Sequence, residues 1–172
     1  FGSPTDQKKW TFSFWVKRGA LNSNQTLLRS SNPLITFGYG GSGDTIRFTL
    51  DSTSEGSGQK KTTAQYRDPT SHLHVVVIFD SANATAGDRM QIWVNGTRMT
   101  AFDATDANPA LNATCSINSA AAHRIGSNFG PGDYFDGLLS RICFVDNAAL
   151  TPSSFGQLNT EINEWVTLSR SA

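Results

Sequence analysis

Two of the three histidines, the few glutamates and a group of Asn and Asp side chains near residue 130 could do chemistry here by type and spacing. His72 and His74 form an H-x-H pair on one face of a strand start, where two imidazoles could hold a transition metal. Zinc takes a third and usually a fourth ligand, and nothing local supplies them. Two facing carboxylates could cleave a glycosidic bond as nucleophile and general acid. The three glutamates are Glu55 in a Gly/Ser loop and Glu161 and Glu164 near the C-terminal end, none on an expected strand. A glycosidase would therefore have to use scattered aspartates. There is no G-x-S-x-G elbow, no H-E-x-x-H and no phosphate loop. The chain reads as a binding domain and not as an enzyme.

Sugar sites pair aromatic platforms with Asn, Asp and backbone groups that fix hydroxyls. The stretch Asn128-Phe129-Gly130-Pro131-Gly132-Asp133-Tyr134 has that make-up, and so does Phe37-Gly38-Tyr39-Gly40. Candidate ligand-binding residues are Asn128, Phe129, Asp133, Tyr134 and Tyr39. The same aromatics could instead close the ends of a sandwich. Calcium takes six to eight oxygens; Asp133, Asp136 and Asn128 lie close in sequence and are the candidate Ca2+ ligands, although turn chemistry accounts for the same residue types. Cys115 and Cys143 could form one bridge or stay as two thiols.

The elements that must position these residues are strands. Helical periodicity is almost absent, and apolar runs recur between Gly, Asn, Asp, Ser and Pro. Trp10–Val16 alternates, with Trp10, Phe12, Phe14 and Val16 on one face. Residues 25–30, 34–39 and 45–50 read as strands, followed by a short one over 61–66. Leu73–Phe79 is the most apolar run and reads as a central strand buried on both faces. A strand over 88–94 meets Asn95-Gly96, a type I′ hairpin signal, and returns over 97–102. Residues 103–122 are a long excursion. A strand starts at His123, and 135–145 closes the fold, with Leu138, Ser140, Ile142 and Phe144 expected on one face. Thr151-Pro152 starts a helical turn, and the residues after 158 show no pattern. About ten short strands without βαβ units predict an all-β, antiparallel two-sheet sandwich.

Bulk properties agree. The chain has 172 residues, enough for one core, and 38% hydrophobic residues, enough to fold it. Charged residues are only 16% and the net charge is zero, which suits a neutral outer surface. Lys8-Lys9 and Lys60-Lys61 are the densest basic spots, so no nucleic-acid-binding face is expected. No segment is long and apolar enough for membrane insertion as a helix.

Three stretches carry a family resemblance: KKWTFSFWVKRG (8–19), YRDPTSHLHVVVIFDSANATAGDRMQIWVNG (66–96) and HRIGSNFGPGDYFDGLLSRICFVDNAALTPSSFGQ (123–157). In this order they resemble the laminin-G-like, concanavalin A-like jelly-roll module of bacteriophage virion proteins. The resemblance implies a jelly-roll domain over 1–158, lacking a terminal strand at each end, and a connector over 159–172. It places His74 at a polar edge of the core and calcium, where present, at a sheet rim. The sandwich glucanases of this fold use an E-x-D-x-(x)-E strand, which this chain lacks. The function implied is a non-catalytic module of a tail fibre or similar appendage on the phage particle surface. Its partners would be other virion subunits, in a homo-oligomeric parent protein, and host-surface glycans. The alternative is a capsid or fibre assembly domain with no sugar ligand.

Overall fold

The computed structural model describes residues 3–38, 43–51 and 57–168. Two five-stranded antiparallel sheets pack face to face, as the sequence predicts. The first has the order β10 (Gly137–Asp146), β1 (Lys9–Arg18), β6 (Leu73–Asp80), β7 (Met90–Val94), β8 (Thr97–Arg98). The second runs β5 (Gln59–Lys61), β4 (Ile46–Thr49), β3 (Leu34–Phe37), β2 (Gln25–Ser30), β9 (His123–Ile125). Alternation puts Trp10, Phe12, Phe14 and Val16 of β1 in the core against Ile35, Phe37, Ile46 and Phe48 of the second sheet. Trp10 is edge-on to Phe48 at 5.5 Å and lies 5.7 Å from Phe79. Such pairs add specificity to the apolar burial that holds the sheets together.

Strand β6 is apolar at nearly every position because both its faces are covered. Val75, Val77 and Phe79 belong to the core between the sheets, while His74, Val76 and Ile78 are buried on the other face. That outer face is crossed by the chain after residue 146. Thr11 Oγ1 donates to Ala148 O and accepts from Leu150 N. A 3-10 turn over Pro152–Ser154 follows, with Pro at its start, and then β11 (Gly156–Asn159) pairs with β12 (Glu164–Thr167). The run after 158, expected to be patternless, is thus half of a hairpin. This hairpin is a two-stranded sheet of its own.

Three strand readings shift. The strand expected over 61–66 occupies Gln59–Lys61, and Thr62 only bridges Phe102. The return strand expected over 97–102 ends at Arg98, because the chain then leaves the first sheet and runs beside β5, bridging it at Phe102 and Ala107. The expected alternation of β10 breaks at Arg141, which has φ 47°. The register with β1 slips there, from Ser13 opposite Cys143 to Trp15 opposite Ser140. Leu139 and Phe144 both pack on the core as a result, so Leu138 and Phe144 do not share a face. The thiols are free and apart: Cys115 is in the core and Cys143 on the outer side of β10, opposite Ser13.

The sandwich has one loop-rich end. The β1–β2, β3–β4, β5–β6 and β9–β10 connections and the β7–β8 turn all emerge there. Asn95 and Gly96 take the positive φ of the predicted turn, 47° and 76°. The long excursion closes the opposite end, where Asn118 Nδ2 donates to Asp6 O and to Asp146 Oδ1. The backbone N–H of Thr5 and the Asn118 amide hold the Asp146 carboxyl down at about 2.

Candidate functional site

The segment 128–134 belongs to the β9–β10 connection at the loop-rich end, and Phe37 of the other segment is the last residue of β3 at the same end. Tyr39 lies outside the described residues. Phe37 is wholly buried and serves as a plate: the Arg18 guanidinium sits over its ring, 4.6 Å from the centroid. Arg18 Nη1 donates to Asp44 Oδ1 at 2.7 Å and to Tyr66 O at 2.9 Å. Asp44 is fully buried and also accepts from Arg67 Nε and Asn22 N. Burial alone would raise its carboxyl. The Asn22 N–H and the two guanidinium groups outweigh burial and hold it below the usual carboxylate range. One aspartate therefore ties three loops of the rim together. Beside this knot lies a cleft of about 170 Å3 lined by Gln65, Tyr66, Arg67, Asp68, Ser71 and Leu73.

The β9–β10 connection forms the outer part of the rim. Thr26 N donates to Asp133 O at 2.8 Å and Phe135 N to Gly126 O at 2.9 Å, which fixes both ends of the loop. Asp133 adopts φ 52°, a conformation Asp tolerates better than most residues. Asn128 Nδ2 donates to Asp133 Oδ2 at 2.9 Å, and Asn128 Oδ1 accepts from Phe129 N at 2.7 Å. Tyr134 is 63% exposed and Phe129 36% exposed. Arg124 of β9 donates to the carbonyls of Asn128 and Phe129 and lies over the Phe129 ring at 5.0 Å. Arg29 of β2 approaches the same ring at 5.7 Å. The loop offers two exposed aromatic surfaces, one of them flanked by cationic groups, together with Asn and Asp side chains, the kind of residue set that grips a sugar or another polar ring.

The three calcium candidates are treated differently by the fold. Asn128 and Asp133 come together but are bonded to each other. The Asp136 carboxylate lies against Gly19, where a Cβ would collide with it, and shares no hydrogen bond with that pair. Among the described residues no group of three or more His, Cys, Asp or Glu side chains could hold a metal ion.

His72 is exposed, whereas His74 is fully buried between the first sheet and the C-terminal hairpin and not at an edge of the core. Its ring stacks on Trp15, and both its nitrogens are engaged, by Ser13 and Trp165. The two histidines cannot share a metal in this state. Glu161 and Glu164 fall in the hairpin, and Glu55 lies outside the described residues. Sequence reasoning missed Arg18, Asp44 and Arg67, and also Arg29 and Arg124. A low overall charge makes each arginine near a strand end worth noting, but only the pairing of the strands brings these together.

A model of the concanavalin A-like lectin/glucanases superfamily matches residues 2–154. No curated protein shows significant sequence similarity to the chain. Among solved structures the chain is similar to domain 4 of AbnA, a GH43 extracellular arabinanase from Geobacillus stearothermophilus, in complex with arabinotriose. The TM-score is 0.54 at 18% identity, over 85% of this chain and 64% of that one. The chain thus spans just under two thirds of that domain's length, and the likeness is one of fold.

Proposed function

The chain belongs to the concanavalin A-like lectin/glucanase superfamily, and from that premise we propose that it is a non-catalytic carbohydrate-binding module whose sugar site is the loop-rich rim. The observation that carries this reading is the exposure of Tyr134 and Phe129 beside Arg124, Asn128 and Asp133. An aromatic that merely closed the sandwich would be covered, as Phe37 is. The arabinanase domain with arabinotriose is a precedent for sugar capture on this fold. The ordered motifs at 8–19, 66–96 and 123–157 support a finer reading, in which the module sits in a tail fibre or similar appendage of a phage particle and contacts host-surface glycans.

The test is a glycan-array screen of the purified domain, in calcium and in chelator, with Tyr134→Ala in parallel. Binding to a defined set of sugars that Tyr134→Ala abolishes supports the reading. Silence from a folded sample under both conditions sinks it.

One observation favours a second reading, assembly with neighbouring subunits. Strands β9 and β10 are edge strands joined by one loop. Ile125 is 50% exposed on β9 and Leu138 65% exposed on β10, so apolar surface lines this side. In that case Leu138→Asp would shift the oligomeric state seen by light scattering and leave sugar binding unchanged.

A further inference from the structure

Strand β5 carries two adjacent lysines that turn to opposite faces. Lys61 pairs with Asp103 at 3.0 Å. Lys60 stands opposite Phe48 in the register with β4, on the face of the sheet that meets the core, and its side chain is only 4% exposed. A lysine so placed needs polar partners close by. The stretch after Phe102 supplies them. Gln59 and Ala107 exchange both backbone hydrogen bonds, at 2.8 and 3.0 Å. Asp106 and Asn108, one residue to either side of Ala107, therefore turn to the face of Lys60. Lys60 Nζ donates to Asp106 Oδ1 at 2.7 Å and to Asn108 Oδ1 at 2.8 Å. The Phe102 ring centre lies 4.9 Å from the same nitrogen. An ion pair with Asp106 would by itself answer the charge; the Asn108 amide adds an electrophilic carbon. A carbonyl bond is about 1.2 Å long, so Nζ and that carbon are at most about 4 Å apart.

We propose that Lys60 and Asn108 join through an amide bond between their side chains, with Asp106 as the proton carrier. Asp106 takes a proton from the Lys60 ammonium, and the freed amine attacks the Asn108 amide carbon. The bond from that carbon to the Asn108 side-chain nitrogen breaks as Asp106 hands the proton on. Lys60 gives up two protons in all, and both leave on the departing nitrogen as ammonium. The Asp106 carboxylate is regenerated, and nothing is oxidised or reduced. Three features favour the step. The backbone rungs between Gln59 and Ala107 hold the reacting groups together, so their orientation is already fixed by folding. Pro109 follows Asn108 and has no N–H, so the next backbone nitrogen cannot divert the amide into a cyclic imide. Asp106 and Asn108 are themselves exposed, which gives ammonium a way out. The bond would clamp the excursion after Phe102 to β5, an edge strand of the second sheet.

The experiment is the intact mass of the purified whole chain, read after denaturation, followed by tandem mass spectrometry of its protease digest. We expect a chain lighter than its sequence by one ammonia, and a branched peptide that joins Lys60 to Asn108. Lys60→Met and Asn108→Ser should each restore the full mass, and Asp106→Ala should leave folded chain unjoined. Folding of each variant is checked by circular dichroism. If Lys60→Met or Asp106→Ala fails to fold, Asn108→Ser decides, because it alters an exposed residue. Full mass in the folded wild-type chain would overturn the proposal. Loss of one water, with a bridge from Lys60 to Asp106, would overturn the choice of Asn108. Loss of ammonia that maps to an imide elsewhere, as at Asn95-Gly96, or that persists in folded Asn108→Ser, would overturn the bond itself. Each of these outcomes leaves the carbohydrate-binding reading untouched.

Discussion

The indole N–H of Trp165 donates a 2.7 Å hydrogen bond to Nδ1 of His74, across 91 residues of chain, while Ser13 Oγ lies 2.8 Å from the ring's other nitrogen. A donor facing Nδ1 makes that nitrogen an acceptor, so the proton sits on Nε2 and is given to Ser13. The ring planes of His74 and Trp165 are 9° apart with centroids 6.0 Å apart, so the two rings meet edge to edge. Trp15 stacks on the imidazole at 4.9 Å. The imidazole is neutral and has no room for a second proton.

This arrangement predicts a pH dependence of stability. Burial lowers the His74 pKa from 6.5 to about 4. Between those values the unfolded chain binds a proton that the folded one refuses. Stability is therefore full above pH 6.5, falls by roughly 3 kcal/mol on acidification to about pH 4, and gains no further loss from this group below that. Urea unfolding at several pH values measures it, and His74→Gln should flatten the slope in that window. The lowered carboxyls of Asp44 and Asp146 act below about pH 4 and leave the window to His74.

Trp165 also fits against two glycines: a Cβ on Gly96 or Gly156 would collide with its ring. Trp165→Ala should cost about 2 kcal/mol, below the fully buried range because the side chain is half-buried. Gly96→Ala should cost at least about 1 kcal/mol, through its φ of 76° and the collision. With Trp165 removed the collision term disappears, so the double mutant should be less destabilised than the sum. A double-mutant cycle by denaturant melts decides it, and strict additivity would contradict the contact.

Asp44→Asn should destabilise the domain by about 3 kcal/mol, because it leaves the buried guanidinium of Arg18 uncompensated. Hydrogen exchange should speed up in residues 19–24 and 62–68, the loops Asp44 holds. A loss of stability without faster exchange there would mean that the aspartate does not organise the rim.

The thiols should differ sharply. Burial pushes the Cys115 thiol up to about 12, and Cys143 is half-exposed on an edge strand. A maleimide should label one thiol per native chain, mapped to Cys143 by mass spectrometry, and two per unfolded chain.

Calcium should leave the melting temperature unchanged relative to chelator, because the Asn128 and Asp133 side chains already bond each other and Asp136 faces Gly19. A calcium-dependent rise abolished by Asp133→Asn would show that the loop rearranges to form a site.

Much of the fold was legible because its signals are local. The alternation of Trp10 to Val16, the apolar run Leu73–Phe79 and the Asn95-Gly96 turn each depend on neighbours in sequence. The bulge at Arg141 was hidden, because a strand pattern carries no sign of a positive φ at an arginine. The hairpin after Gly156 was hidden because what specifies it is Trp165 meeting His74 and two glycines, contacts that no short window contains. The rim was half legible. The composition of residues 128–134 marked an exposed aromatic loop, whereas the Arg29–Arg124 opposition arises only from strand register.

The β11–β12 hairpin shares no backbone ladder with the sheet it covers; it is held there by side chains. A pull applied beyond Thr167 would therefore meet Trp165 before it met any rung of the sandwich. The hairpin would peel away at low force and the two sheets would yield separately at a higher one. In mechanical terms, such a hairpin would be a sacrificial first stage, yielding while the rim keeps its shape.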